Sequence, residues 1–135
     1  MNKRNFIKSS LLMVAGTLLT SVKVMSESKQ KPKAPGIIYS EADQGKWDGK
    51  SGSHAPVVKV EGSQVTLTTE HGMSDKHYIV RHTLVTEKGE VVGAKTFKPT
   101  DEKAVSTFSV DGHKGKLVAT SFCNLHDLWV TEFSV

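Results

Sequence analysis

Cysteine is nearly absent from this chain: Cys123 is the one example in 135 residues. A disulfide within one copy is therefore excluded, and so is a metal centre built from several cysteines of the same chain. Proline is scarce too, with four residues. No stretch of helical period and useful length follows the first two dozen residues, which argues against a helical bundle. Long apolar runs are also missing. The run "SSLLMVAGTLLTSV" at 9–22 falls short of the ~20 residues a membrane-spanning helix needs.

Charge of one sign is lacking once the N-terminus is set aside. The formal net charge is +4, but residues 1–26 hold Lys3, Arg4, Lys8 and Lys23 and no acid. Taking those four from the 18 basic residues leaves 14, against 14 acidic ones. A neutral domain offers no electrostatic footprint for nucleic acid.

Residues 1–26 have the layout of a signal peptide: a positive start "MNKRNFIK", a short apolar stretch, and "VMS" at 24–26 as a cleavage site. "NKRNFIK" resembles the twin-arginine export pattern S/T-R-R-x-F-L-K, with Lys3-Arg4 in place of Arg-Arg. The expected location is periplasmic or otherwise exported, with no stable membrane association after signal removal. An uncleaved N-terminal anchor is the alternative. Residues 27–36, "ESKQKPKAPG", form a flexible leader, and 37–135 the folded domain.

From Pro56 onward the pattern is β. Runs at 56–60, 63–69, 77–87, 91–98, 104–110, 115–122 and 128–135 are rich in β-branched and aromatic residues and are punctuated by Gly, Pro and Asp. Seven short strands of this kind predict an all-β, immunoglobulin-like antiparallel β-sandwich. His54, His71, His77, Cys123 and His126 all fall on predicted connections, where sandwiches carry their sites.

A lone thiol in an oxidising compartment needs a role. It could be a buried structural group, or it could pair with a second copy. Ligation to a metal explains it better, and thiolate with imidazole suits zinc, copper or iron. Cys123 and His126 are three residues apart, His71 and His77 six apart, and His54 lies upstream. Nucleophilic catalysis by Cys123 with His126 as base would leave three loop histidines without a role. His82, in mid-strand, and His113, after a turn, read as ordinary structural or surface residues.

"HGMSDKHYI" and "SFCNLHDLW" together strongly resemble the iron domain of superoxide reductase, the neelaredoxin and desulfoferrodoxin family. That family carries H-P-M-x-x-x-H-Y-I and a late C-N-x-H-G-x-W. "KWDGKSGSHAPVV" looks like a modified form of its upstream W-x-x-E-K-H-V-P-V segment. The resemblance spans residues 36–135. It implies one mononuclear iron with four equatorial histidines, His54, His71, His77 and His126, and Cys123 as axial thiolate. It also implies a sixth position open to solvent, where superoxide takes one electron and two protons and leaves as hydrogen peroxide. An external donor, such as a small rubredoxin-like or cytochrome-like protein, must then restore the electron. A homo-oligomer is compatible with this family. The four further cysteines of a rubredoxin-like domain are missing, so the single-iron type is implied. An anionic sulfur opposite the open position pushes electron density toward it, as thiolates do in haem sites. Backbone N–H groups of Leu125 and His126 are placed to tune that sulfur.

The departures are informative. Gly52-Ser53 replaces the family's Glu-Lys pair, which leaves the capture of an anionic substrate to another cation. Lys50 and Lys76 are the candidates, and Lys50 is expected to swing toward the open position. Gly72 replaces a proline and Asp127 a glycine, changes expected to alter loop shape only. Two other readings stay open. A cupredoxin-like copper carrier shares a late Cys-x-x-His loop but normally has a methionine shortly after it, and none follows His126. A non-catalytic iron-binding sensor or redox partner is the other.

Overall fold

A computed structural model describes residue 34 and residues 36–135. The signal peptide at 1–26 and nearly all of the leader at 27–36 lie outside the described residues.

The domain is a sandwich of two sheets. Its strands are β1 (Ile38–Tyr39), β2 (Val57–Glu61), β3 (Gln64–Thr69), β4 (Ile79–Thr86), β5 (Val91–Thr96), β6 (Ala104–Ser109), β7 (Lys116–Cys123) and β8 (Asp127–Ser134). One sheet has the order β1-β8-β7-β4-β5, the other β2-β3-β6. Seven of these are the expected strands. The eighth, β1, was not foreseen. It has two residues and pairs parallel to β8, Ile38 opposite Leu128 and Tyr39 opposite Trp129. Two residues carry no readable period, so β1 exists only through its partner.

Alternation builds the core. In β3, Val65, Leu67 and Thr69 point inward, and in β7 Leu117, Ala119, Ser121 and Cys123 do. Val65, Leu67, Leu84, Val110, Leu117 and Ala119 form the main apolar cluster between the sheets. A second cluster of Ile79, Phe97, Ala104 and Cys123 lies at the other end. In β5, Gly93 faces the Phe108 ring so closely that a side chain there would overlap it.

Between the clusters sits His82, fully buried. Its Nε2 lies 2.8 Å from Thr69 Oγ1 and its Nδ1 2.8 Å from Ser106 Oγ, while Thr69 Oγ1 lies 2.7 Å from Ser121 Oγ. A polar group this deep is tolerable because each partner is satisfied. Burial, helped by the Lys95 charge, lowers the His82 pKa from 6.5 to about 4. The structural reading of this residue holds.

Two local expectations need correction. His54 is not in a loop: it closes a one-turn helix, α1 (Ser51–His54), which follows a 3₁₀ turn at Gly45–Trp47. Cys123 is not in the last loop either. It is the final residue of β7, paired with Asp127, so only residues 124–126 turn.

Candidate metal centre

Three segments converge at one end of the sandwich. The first is α1. Its helical turn directs His54 inward, where it is 3% exposed. The His54 Nδ1–H lies 3.1 Å from Lys50 O, a carbonyl that can only accept. Ser53 Oγ, 2.8 Å from the same nitrogen, supports it. Nε2 is thereby left with its lone pair facing the centre.

The second segment runs from β3 to β4. His71 Nδ1–H is held by Gly72 O, which again leaves Nε2 free. Ser74 and His77 exchange backbone hydrogen bonds and close the loop. The third is the β7–β8 turn. Asn124 ties it to the second segment: its Oδ1 accepts from Tyr78 N at 3.0 Å and its Nδ2 donates to Lys76 O at 3.0 Å. The asparagine beside the cysteine thus positions His77, a role the sequence motif alone does not reveal.

The ring nitrogens form a chain. His71 Nε2 is 3.0 Å from His77 Nε2, His77 Nε2 is 3.0 Å from His126 Nδ1, and His126 Nδ1 is 3.1 Å from His54 Nε2. The His54 and His71 ring centroids lie 4.7 Å apart. Cys123 Sγ lies 3.6 Å from His126 Nδ1. The donor atoms of His54, His77, Cys123 and His126 all fall within 4.8 Å of one another.

This arrangement fits a metal ion and fits protons poorly. His54 and His71 both present lone pairs inward, because their other nitrogens carry the proton. If His77 and His126 both pointed protons inward, those two would face each other. If either did not, a pair of lone pairs would face instead. No set of neutral tautomers gives each of the three contacts its own hydrogen bond. A cation that receives the lone pairs would remove the mismatch, and His54, His77, Cys123 and His126 could hold one, with His71 outside that group. Metal–imidazole bonds of about 2.0–2.1 Å set at right angles would place adjacent donors about 3 Å apart, close to the 3.0 Å found here.

The electrostatics agree. Burial, offset by the Lys50 carbonyl and reinforced by the neighbouring imidazoles, lowers the His54 pKa to about 4. Burial also lowers His71, followed by the charges of His77 and His126, and it lowers His126 together with His77 and Lys50. These rings are therefore neutral near pH 7, as ligands must be. Burial raises the Cys123 thiol, and backbone hydrogen bonds from Leu125 and His126 oppose that rise. The two amides expected to tune the sulfur are thus among the groups that act against its raised pKa.

Cys123 is fully buried, whereas the four imidazoles line an open cleft of about 450 Å³. Lys50, Ser53 and Glu70 share that lining, and Lys76 does not. Of the two lysine candidates, only Lys50 borders the cleft. Its charge is among those felt by Cys123 and His126.

One contact was missed. Trp47 stands edge-to-face on the His126 ring, centroids 4.6 Å apart, and its Nε1 donates to Asp127 Oδ2 at 2.9 Å. Asp127 shapes the loop, as expected, but it also carries a bond to a residue 80 positions away. No local signal foretells that.

A buried cysteine and a group of histidines at an open cleft, on a β-sandwich, could hold a metal ion. The chain belongs to the desulfoferrodoxin family, whose model matches residues 45–132. It is 32% identical over 92 residues to a desulfoferrodoxin of Nitratidesulfovibrio vulgaris, covering 66% of this chain and 69% of that protein. The superoxide reductase of Treponema pallidum superposes with a TM-score of 0.54 at 32% identity, over 62% of this chain and 69% of that one. A variant of the Ignicoccus hospitalis neelaredoxin shares the fold, with TM-score 0.62 at 23% identity over 78% of this chain and 98% of that one. These relatives are oxidoreductases of a family that binds one iron, and the His/Cys group of this chain can hold such a metal.

Proposed function

We propose that this chain is a superoxide reductase whose single iron is held by His54 Nε2, His71 Nε2, His77 Nε2, His126 Nδ1 and Cys123 Sγ. The observation that carries the reading is the chain of four inward ring nitrogens at 3.0–3.1 Å above one buried sulfur. Iron bound there would supply the one electron that, with two protons from water, converts superoxide to hydrogen peroxide.

The protein does the rest. The carbonyls of Lys50 and Gly72 hold the Nδ1 protons of His54 and His71, which fixes both rings. The Leu125 and His126 amides would favour the charged form of the sulfur. Lys50 borders the cleft, and its ammonium there would raise the local concentration of a small anion. An external one-electron donor of rubredoxin or cytochrome type restores the reduced state, and export through residues 1–26 puts the centre outside the cytoplasm.

Anaerobically purified protein tests this. It should contain one iron per chain, oxidise rapidly and stoichiometrically with superoxide, and form peroxide without releasing dioxygen. Copper in place of iron would favour an electron carrier. Iron that ignores superoxide would favour a sensor.

A further inference from the structure

Asp127 occupies a backbone conformation that disfavours any side chain, with φ of 65°. The geometry of the three-residue turn requires it: a residue in left-handed conformation ends such turns, and glycine does so without strain. Aspartate is among the few others that tolerate it. A carboxylate kept at this position calls for a contact that offsets the strain.

That contact is Trp47. Its indole N–H is 2.9 Å from Asp127 Oδ2, and its ring packs edge-to-face on His126. Lys46 Nζ lies 3.5 Å from the same oxygen, with 58% of its side chain exposed, so solvent screens that ion pair. The indole bond is the better sheltered of the two. The path continues beyond the tryptophan. Trp47 O accepts from Lys50 N at 3.1 Å, and Lys50 O accepts from His54 Nδ1 at 3.1 Å. A continuous line of hydrogen bonds thus runs from the residue beside His126 to the ring of His54.

We propose that Asp127 is a positioning residue for the metal centre. Through Trp47 it seats the His126 ring and joins the segment that carries His54 to the turn that carries Cys123 and His126. The proposal rests on the metal-centre reading above. Its physical need is clear from the ring nitrogens. Before an ion arrives, their lone pairs and protons cannot all be matched, so the rings tend to separate. A clamp from outside the cluster keeps them converged and lowers the cost of ordering on binding.

The test uses the full chain, freed of metal and titrated anaerobically with Co²⁺, whose thiolate-to-metal absorption reports the sulfur and whose ligand-field bands report geometry. Asp127→Ala, Asp127→Gly and Trp47→Phe should each weaken Co²⁺ binding about 10–100-fold, the range for lost outer-shell partners, and should shift the ligand-field bands. Asp127→Asn can still accept from the indole and tolerates the left-handed backbone, so it should stay near wild type. The double variant Trp47→Phe/Asp127→Ala should bind no more weakly than the weaker single one. Should Asp127→Ala not fold, the glycine and phenylalanine variants give the same reading, because glycine relieves the backbone and phenylalanine keeps a ring. Wild-type affinity and spectrum in Asp127→Gly and Trp47→Phe would overturn the clamp alone. An asparagine variant as weak as alanine would overturn it in favour of charge. A wild-type chain that binds Co²⁺ without thiolate absorption would overturn the metal-centre reading itself.

Discussion

Cys123 and His126 meet across the tip of the β7–β8 turn, Sγ 3.6 Å from Nδ1. Burial raises the thiol above its ordinary pKa of 9.0, so it is protonated at neutral pH when no metal is bound. Metal binding must then release that proton. Affinity for Zn²⁺ or Co²⁺, measured by competition between pH 6.5 and 8, should rise about tenfold per pH unit. Cys123→Ser should flatten that slope and abolish the thiolate absorption. A slope unchanged by the substitution would exclude the sulfur as a ligand.

Among the described residues, Lys50 is the one lysine that lines the cleft. Lys50→Ala should lower the second-order rate with superoxide about tenfold and weaken its dependence on ionic strength. Lys50→Arg should keep both. Pulse radiolysis at several salt concentrations measures this, and an alanine variant matching wild type would remove Lys50 from substrate capture.

His82 makes the metal-free protein acid-sensitive. Its folded pKa, about 4, lies below the unfolded value of 6.5. Between these values the unfolded chain binds a proton that the folded chain does not, so stability falls as pH falls from 6.5 toward 4. At neutral pH this contribution is present in full, and about 3 kcal/mol of it is lost by pH 4. His82→Gln, which can bond the hydroxyls without titrating, should reduce the loss of urea-denaturation stability over that range, leaving the part that His54, also lowered to about 4, contributes. An undiminished acid slope would place the sensitivity in the site histidines instead.

Gly93 has no room for a side chain beside Phe108. Gly93→Ala should cost about 1–3 kcal/mol by overpacking, read from thermal or urea melts. The metal absorption should stay unchanged, since neither residue lines the cleft.

Export is expected to depend on the N-terminal pair. Lys3→Ala with Arg4→Ala should leave the full-length chain in the cytoplasmic fraction. The unaltered chain should appear outside it, shortened to begin after residue 26. Equal distribution of the two would rule out the export reading.

Much of the fold was legible because period-2 alternation is local. Val65 and Leu67 announce β3 within seven residues, and seven of the eight strands were found in this way. The candidate site was legible where its residues lie close in sequence, as His71 with His77 and Cys123 with His126 do. Assigning all five candidate residues to connections was less accurate. A helix of one turn around His54 has no room to show its period, and the end of β7 cannot be placed without its β8 partner.

By itself, then, the order of residues determined the sandwich through alternation between close neighbours and the near-neutral charge of the domain through a simple count, while the candidate ligand set came from the motifs that resemble the family. Tertiary structure alone decided which nitrogen of each ring faces inward, which lysine borders the cleft, and that Asp127 answers Trp47 across 80 positions. Those outcomes depend on carbonyls and side chains that come together only when the sheets pack, and no local pattern encodes such meetings.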